Sequence, residues 1–177
     1  MSSPEFGATK RSVSGHFRVW NDVYESLEEE AKEHKVSVNT LVNQVLSKHT
    51  REDALYDKVG IVKAPKEMMH VFFRFLPEDK LSTVGAEVVE HAMVPLMLAR
   101  KGEITLDAVL DNIQQGAVLG WYSCYQSRVN GKQVLSLTHD FGPKDSHVLA
   151  ATVSKVFDLV GIRPKVTTTD SSVVVEY

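Results

Sequence analysis

Residues 11–24 read RSVSGHFRVWNDVY. Small or apolar residues fall at Val13, Gly15, Phe17 and Val19, and hydrogen-bonding residues at Ser12, Ser14, His16 and Arg18 between them. Side chains of a strand alternate between its two faces, so this period of two predicts a strand over 12–20. The alternation stops at Asn21-Asp22, where Asn suits a helix N-cap and the carboxylate suits the positive end of the helix dipole. Val23, Leu27 and Ala31 then recur at four-residue intervals with Tyr24 beside them, predicting an amphipathic helix that ends near His34. Glu25, Glu28, Glu29 and Glu33 take its solvent side. After a short break, Ser37 is placed to cap a second helix striped by Leu41, Val42, Val45 and Leu46, and Thr50-Arg51-Glu52-Asp53 reads as a polar junction.

Two short helices and one strand bury too little apolar surface to fold alone. Dimerisation solves this: two copies pair their strands into an antiparallel ribbon over a shared four-helix core. Val13, Phe17 and Val19 then face the core, and Ser12, Ser14, His16 and Arg18 face outward in duplicate. A two-stranded ribbon fits the DNA major groove, where donors and acceptors distinguish all four base pairs.

These residues resemble the ribbon–helix–helix (Arc/MetJ-type) DNA-binding family over about residues 10–50. The resemblance rests on the strand FRVW, the helix NDVYESLEEEAKEHK, the tripeptide SVN at 37–39 and the following LVNQVL. It implies that Ser14, His16 and Arg18 contact bases and that the amides of Ser37, Val38 and Asn39 hold a phosphate. Free N–H groups at a helix N-terminus bind anions on physical grounds as well. Two positions depart from the family: Gly15 stands in the core-facing row, and His34-Lys35-Val36 occupies a turn that commonly carries glycine. Residues 1–53 hold seven Lys/Arg and nine Asp/Glu, a net of -2, so non-specific attraction to DNA is expected to be modest.

The 177 residues are 43% hydrophobic and 24% charged, with a net charge of -3. That is a globular composition rather than a disordered one. No stretch reads as a membrane span of ~20 apolar residues, and a single cysteine, Cys124, fits a reducing cytoplasm. Residues 1–10 read as a disordered arm or a cloning remnant, 11–52 as the DNA-binding domain and 53–177 as an oligomerisation or effector-sensing domain. In the last, helices are expected over 66–75, 78–101 and 105–119, with Pro95 kinking or dividing the second. Asn130-Gly131 predicts a hairpin of strands 120–129 and 132–139. A helix is expected over 144–160, with Val148, Ala151, Thr152, Lys155, Val156 and Leu159 on one face and Gly161 closing it. A second hairpin follows at Val166–Thr169 and Val173–Val175. The whole is α+β: a dimeric β-α-α unit, a helical segment, and a ββαββ domain.

Three roles compete for residues 53–177: sensing an effector, setting oligomeric state, or catalysis. Thr138-His139-Asp140 and His147 supply imidazoles and a carboxylate, but no nucleophile elbow, P-loop or dinucleotide fingerprint is present, so no enzyme and no cofactor are expected. His139, Asp140 and His147, with Cys124 on the partnered strand, form a weak metal-ligand set suited to nickel, copper or zinc. A strand-end His capping a turn or the next helix is the favoured alternative, and His70 and His91 read as packed or solvated. Met68, Met69, Phe72, Phe73 and Phe75 cluster in one predicted helix. Together with Met93, Met97, Trp121 and Tyr122 they offer either a small-molecule pocket or an ordinary core. The expectation is a cytoplasmic, homodimeric or tetrameric regulator, such as a repressor, on double-stranded palindromic DNA, with a small-molecule effector and no membrane. The alternatives are an antitoxin, or a scaffold module that never meets DNA.

Overall fold

In the computed structural model, which describes residues 13–62 and 64–177, the chain forms two compact units, Met1–His49 and Thr50–Tyr177. The expected arm at 1–10 and the strand residue Ser12 lie outside the described residues. In the first unit, residues 13–20 form no β ladder within the single chain. Helix α1 spans Asn21–Glu33 and helix α2 spans Val38–Lys48. Asn21 is not the N-cap: Trp20 holds that position in extended conformation, and Asn21 sits in the first turn donating to Glu25 Oε1 at 2.7 Å. The reach to residue i+4 is available only from inside the helix, and it draws the amide there.

The α1–α2 turn closes with Val36 N–H donating to Ala31 O at 2.9 Å, and it places Lys35 at φ 54°. A residue with a Cβ is strained in this left-handed region. Ser37 caps α2, its Oγ accepting from Thr40 N–H at 3.1 Å. Among the unit's described residues, Ala31 and Leu41 are the buried apolar side chains, while Phe17 is 78% exposed and Val23, Tyr24, Val45 and Leu46 are each 41–48% exposed.

The second unit is mixed helix and sheet. A π-helical turn at His49–Asp53 stands where a polar junction was expected, and it leads into α3, Ala54–Val59, which ends at Gly60. Helix α4 spans Lys66–Phe75, and Lys144 Nζ donates to the carbonyls of Arg74 and Leu76 at its end. The next helical run reaches from Glu78 to Lys101: a 3-10 turn, α5 at Leu81–Val88, a π-helical turn at Val89–Met93 and α6 at Val94–Lys101. The irregularity falls just before Pro95. A proline ring clashes with the carbonyl four residues back, here His91, and widening that turn relieves the clash. By length and composition alone this run would reach across a membrane, contrary to the sequence expectation. However, Glu87, Glu90 and His91 interrupt it, and Leu81, Gly85 and Val89 are buried.

Helix α7, Leu106–Val118, starts at Thr105, whose Oγ1 accepts from Ala108 N–H. Strands β1 (Ser123–Val129) and β2 (Lys132–Thr138) form the expected hairpin, with Asn130 and Gly131 both at positive φ. Helix α8, Pro143–Asp158, is followed by β3 (Lys165–Thr168) and β4 (Ser172–Glu176). The antiparallel sheet has the order β1-β2-β4-β3. Leu135, Leu137, Val173 and Val175 meet Val153, Val156 and Phe157 of α8 in the main core. Leu159, expected on the packed face of α8, is instead exposed, and Phe157 takes the core position. Gly85 lets α5 approach α8 closely: a Cβ there would lie 2.8 Å from Val148 O and 2.7 Å from Ala151 Cβ.

Candidate functional site

Ser14, His16 and Arg18 are all exposed on the 13–20 segment, as outward-facing residues should be. The other row, Val13, Phe17 and Val19, is exposed too. Burial within one chain therefore does not distinguish the two faces; only a covering partner would. At the start of α2, Ser37 takes the Thr40 amide, and no acidic residue lies in the first turn. Val38 and Asn39 thus stand at an uncompensated positive helix end.

In the second unit, helices α4, α5, α7 and α8 line a cavity of about 370 Å³ that opens to the surface beside Phe72, Ala92 and Trp121. Three of the residues singled out for a ligand, Met93, Trp121 and Tyr122, line it, joined by Met69, Phe72 and Phe73. Met97 does not: it is 1% exposed in the main core. Met68 and Phe75 point to solvent instead. The cavity wall is shaped by a glycine. Tyr122 lies over Gly116, where a Cβ would collide with the phenol oxygen, and its hydroxyl donates to Ile113 O at 2.8 Å.

Polar groups on this wall are few. Thr152 Oγ1 donates to Val148 O at 2.8 Å, and Gln115 Oε1 accepts from Tyr56. Asn112 is only 7% exposed, and its Nδ2 has no hydrogen-bond partner. A buried donor left without an acceptor costs free energy. The sequence reading passed over Asn112, although a lone amide on the apolar face of a helix was the available signal.

Asp145 completes the polar side, in a cluster also not foreseen. His139 Nδ1 lies 3.1 Å from Asp145 Oδ2, His139 Nε2 lies 2.9 Å from Ser146 Oγ, and Phe141 N–H donates to Nδ1 at 3.3 Å. Burial pushes the Asp145 carboxyl up to about 7, and burial pulls the His139 imidazole down. Both groups thus favour their neutral forms, with the Asp145 hydroxyl donating to Nδ1 and Nε2–H donating to Ser146 Oγ. A serine nucleophile needs the reverse, an imidazole nitrogen accepting its proton, and it needs substrate access. Ser146 is fully buried. As arranged, the cluster braces the first turn of α8 against the end of β2.

The weak metal set is not brought together. His139 is engaged as described, His147 Nδ1 meets Pro143 O at 2.7 Å, and Asp140 pairs with Lys66 at 2.7 Å. Cys124 pairs across the sheet with Leu137. Among the described residues no group of three His, Cys, Asp or Glu is placed to hold a metal ion. Comparison with family models, with curated proteins and with solved structures found no match to this chain.

Proposed function

We propose that the protein is a sequence-specific DNA-binding regulator of the ribbon–helix–helix type, working as a homodimer. One observation carries this reading: among the described residues, the N-terminal unit leaves its apolar side uncovered and its 13–20 segment without a ladder partner. A second copy answers both needs at once. Pairing the two segments makes a ribbon, and Phe17, Val19, Val23 and Leu46 of both copies make one core. Ser14, His16 and Arg18 then face the groove. Arg18 reads guanine through O6 and N7, and the amides at 37–39 hold a backbone phosphate. Because the unit is net acidic, binding depends on base contacts more than on bulk charge, and its salt dependence reflects only the few phosphate contacts it makes.

Selection of random duplex DNA by the full chain, with Arg18→Ala in parallel, tests the proposal. The expected result is an enriched inverted repeat, and a loss of about 1–3 kcal/mol at one base position per half-site in the variant. Failure to enrich any sequence at low salt, with the dimer intact by sedimentation, would leave the ribbon as an interaction module instead.

A further inference from the structure

The sheet of the second unit has two outer edges, and they differ. Strand β3 is four residues long, follows Pro164 and opens on Lys165, features that blunt an edge against pairing. Strand β1 has seven residues, no proline and an unbroken register with β2. The two-residue turn Asn130-Gly131 makes Val129 and Lys132 the closing hydrogen-bonded pair. Bonded and non-bonded pairs alternate from there. Ser123, Tyr125, Ser127 and Val129 therefore bond to β2, while Cys124, Gln126 and Arg128 turn their backbone N–H and C=O to the open side. Among the described residues no backbone group meets them there.

The same strand carries two apolar side chains in solvent, Tyr125 at 70% and Val129 at 52% exposure. Cys124 and Gln126 lie opposite the core residues Leu137 and Leu135, so Tyr125 and Val129 stand on the face away from α8.

We propose that β1 pairs antiparallel with β1 of a second copy about a twofold axis at Gln126, joining the two four-stranded sheets into one. This register overlaps the whole strand. Gln126 meets the partner's Gln126 and Cys124 meets the partner's Arg128, giving about six backbone hydrogen bonds. Arg128, the only charge in the strand, opposes no like charge, and its Nε is drawn back to Gly131 O at 3.3 Å. On the outer face Tyr125 becomes the diagonal neighbour of the partner's Tyr125 and the partner's Val129, within reach of an aromatic ring. The exposed side chains of the two strands thus cover one another, which makes the edge a match for itself. The interface stands on the second unit alone and is separate from the N-terminal ribbon.

Cysteine crosslinking of the full chain in a Cys124→Ser background tests it. Under mild oxidation Gln126→Cys should give a reducible dimer several-fold faster than Thr167→Cys, which is also exposed but lies on β3. Adding Tyr125→Lys, a charge of the kind that blunts edges, should slow the Gln126→Cys crosslink several-fold with thermal melting unchanged. Adding Phe17→Ala, which loosens the N-terminal dimer, should leave the crosslink in place at high protein concentration. The proposal is overturned if Gln126→Cys crosslinks no faster than Thr167→Cys, or if folded Tyr125→Lys crosslinks as fast as its parent. It is overturned equally if Phe17→Ala abolishes the crosslink, which would put the association in the first unit.

Discussion

The two units of this chain finish their cores in different ways. Among the described residues, the N-terminal unit supplies two of the 21 buried apolar side chains, Ala31 and Leu41. The C-terminal unit supplies the others, with Leu137, Val156, Phe157, Val173 and Val175 at no measurable exposure. The contrast follows from size and topology. A four-stranded sheet with α8 across it closes around its own apolar face, whereas two short helices have only each other to cover theirs. A unit that completes itself has a stability of its own; in the proposed dimer, the first unit's stability is set by protein concentration.

The largest test of this contrast is Phe157→Ala. It should lower the stability of the C-terminal unit by about 3–5 kcal/mol, read by urea denaturation, at every protein concentration. Phe17→Ala comes next. In a lone chain a side chain 78% exposed would cost almost nothing. In the proposed dimer its loss removes about 3 kcal/mol, seen as a lower melting temperature that recovers as protein concentration rises. If Phe17→Ala melts like the parent at all concentrations, the apolar face has some other role.

An effect that depends on pH concerns Asp145. Its carboxyl keeps its proton up to about pH 7 in the folded state but loses it near 4 in the unfolded chain. Between those values the folded state holds more protons, so this group's stabilising contribution is complete below about 4 and falls away as pH rises to 7. His139 acts oppositely: its depressed basicity means stability is lost as pH falls below the ordinary imidazole value. Asp145→Asn removes the first effect, on the order of 4 kcal/mol across pH 4 to 7, and leaves stability rising with pH up to about 6.5. Identical pH profiles for parent and variant would show that native Asp145 is ionised. The smallest effect is at Lys35, whose φ of 54° strains a side chain. Lys35→Gly should stabilise the first unit by about 0.5–1 kcal/mol, measured as a shift in the denaturation midpoint.

Much of the local structure was legible because local chemistry decides it. Asn130-Gly131 accepts the positive φ angles of a tight hairpin, and both residues adopt them. Ser37 has a hydroxyl where an orphan amide needs an acceptor. The left-handed turn at Lys35 follows from the need to reverse the chain between two helices. Asn21 was misread as a cap because its side chain had two partners in reach, and position within the turn selected Glu25. In helix α8, periodicity alone could not choose between Leu159 and Phe157 where the helix ends at Asp158.

The site residues divide the same way. Met93, Trp121 and Tyr122 reach the cavity and Met97 does not, because a π-helical turn at Val89–Met93 shifts which side chains of that run share a face. The His139–Asp145–Ser146 cluster depends on Gly142-Pro143 turning the chain back from β2 into α8, which brings residues six and seven positions apart within hydrogen-bond reach. The orphan amide of Asn112 exists only because α7 is buried on that side. By itself, the amino-acid sequence determined most of the helices, the Asn130-Gly131 hairpin and the uncovered apolar face of residues 13–48, since propensity, capping and periodicity act over a few residues. The cavity, the neutral Asp145 carboxyl and the unpartnered Asn112 amide were decided by tertiary structure alone, because burial, and with it the energetic meaning of a polar atom, is a property of how distant segments pack.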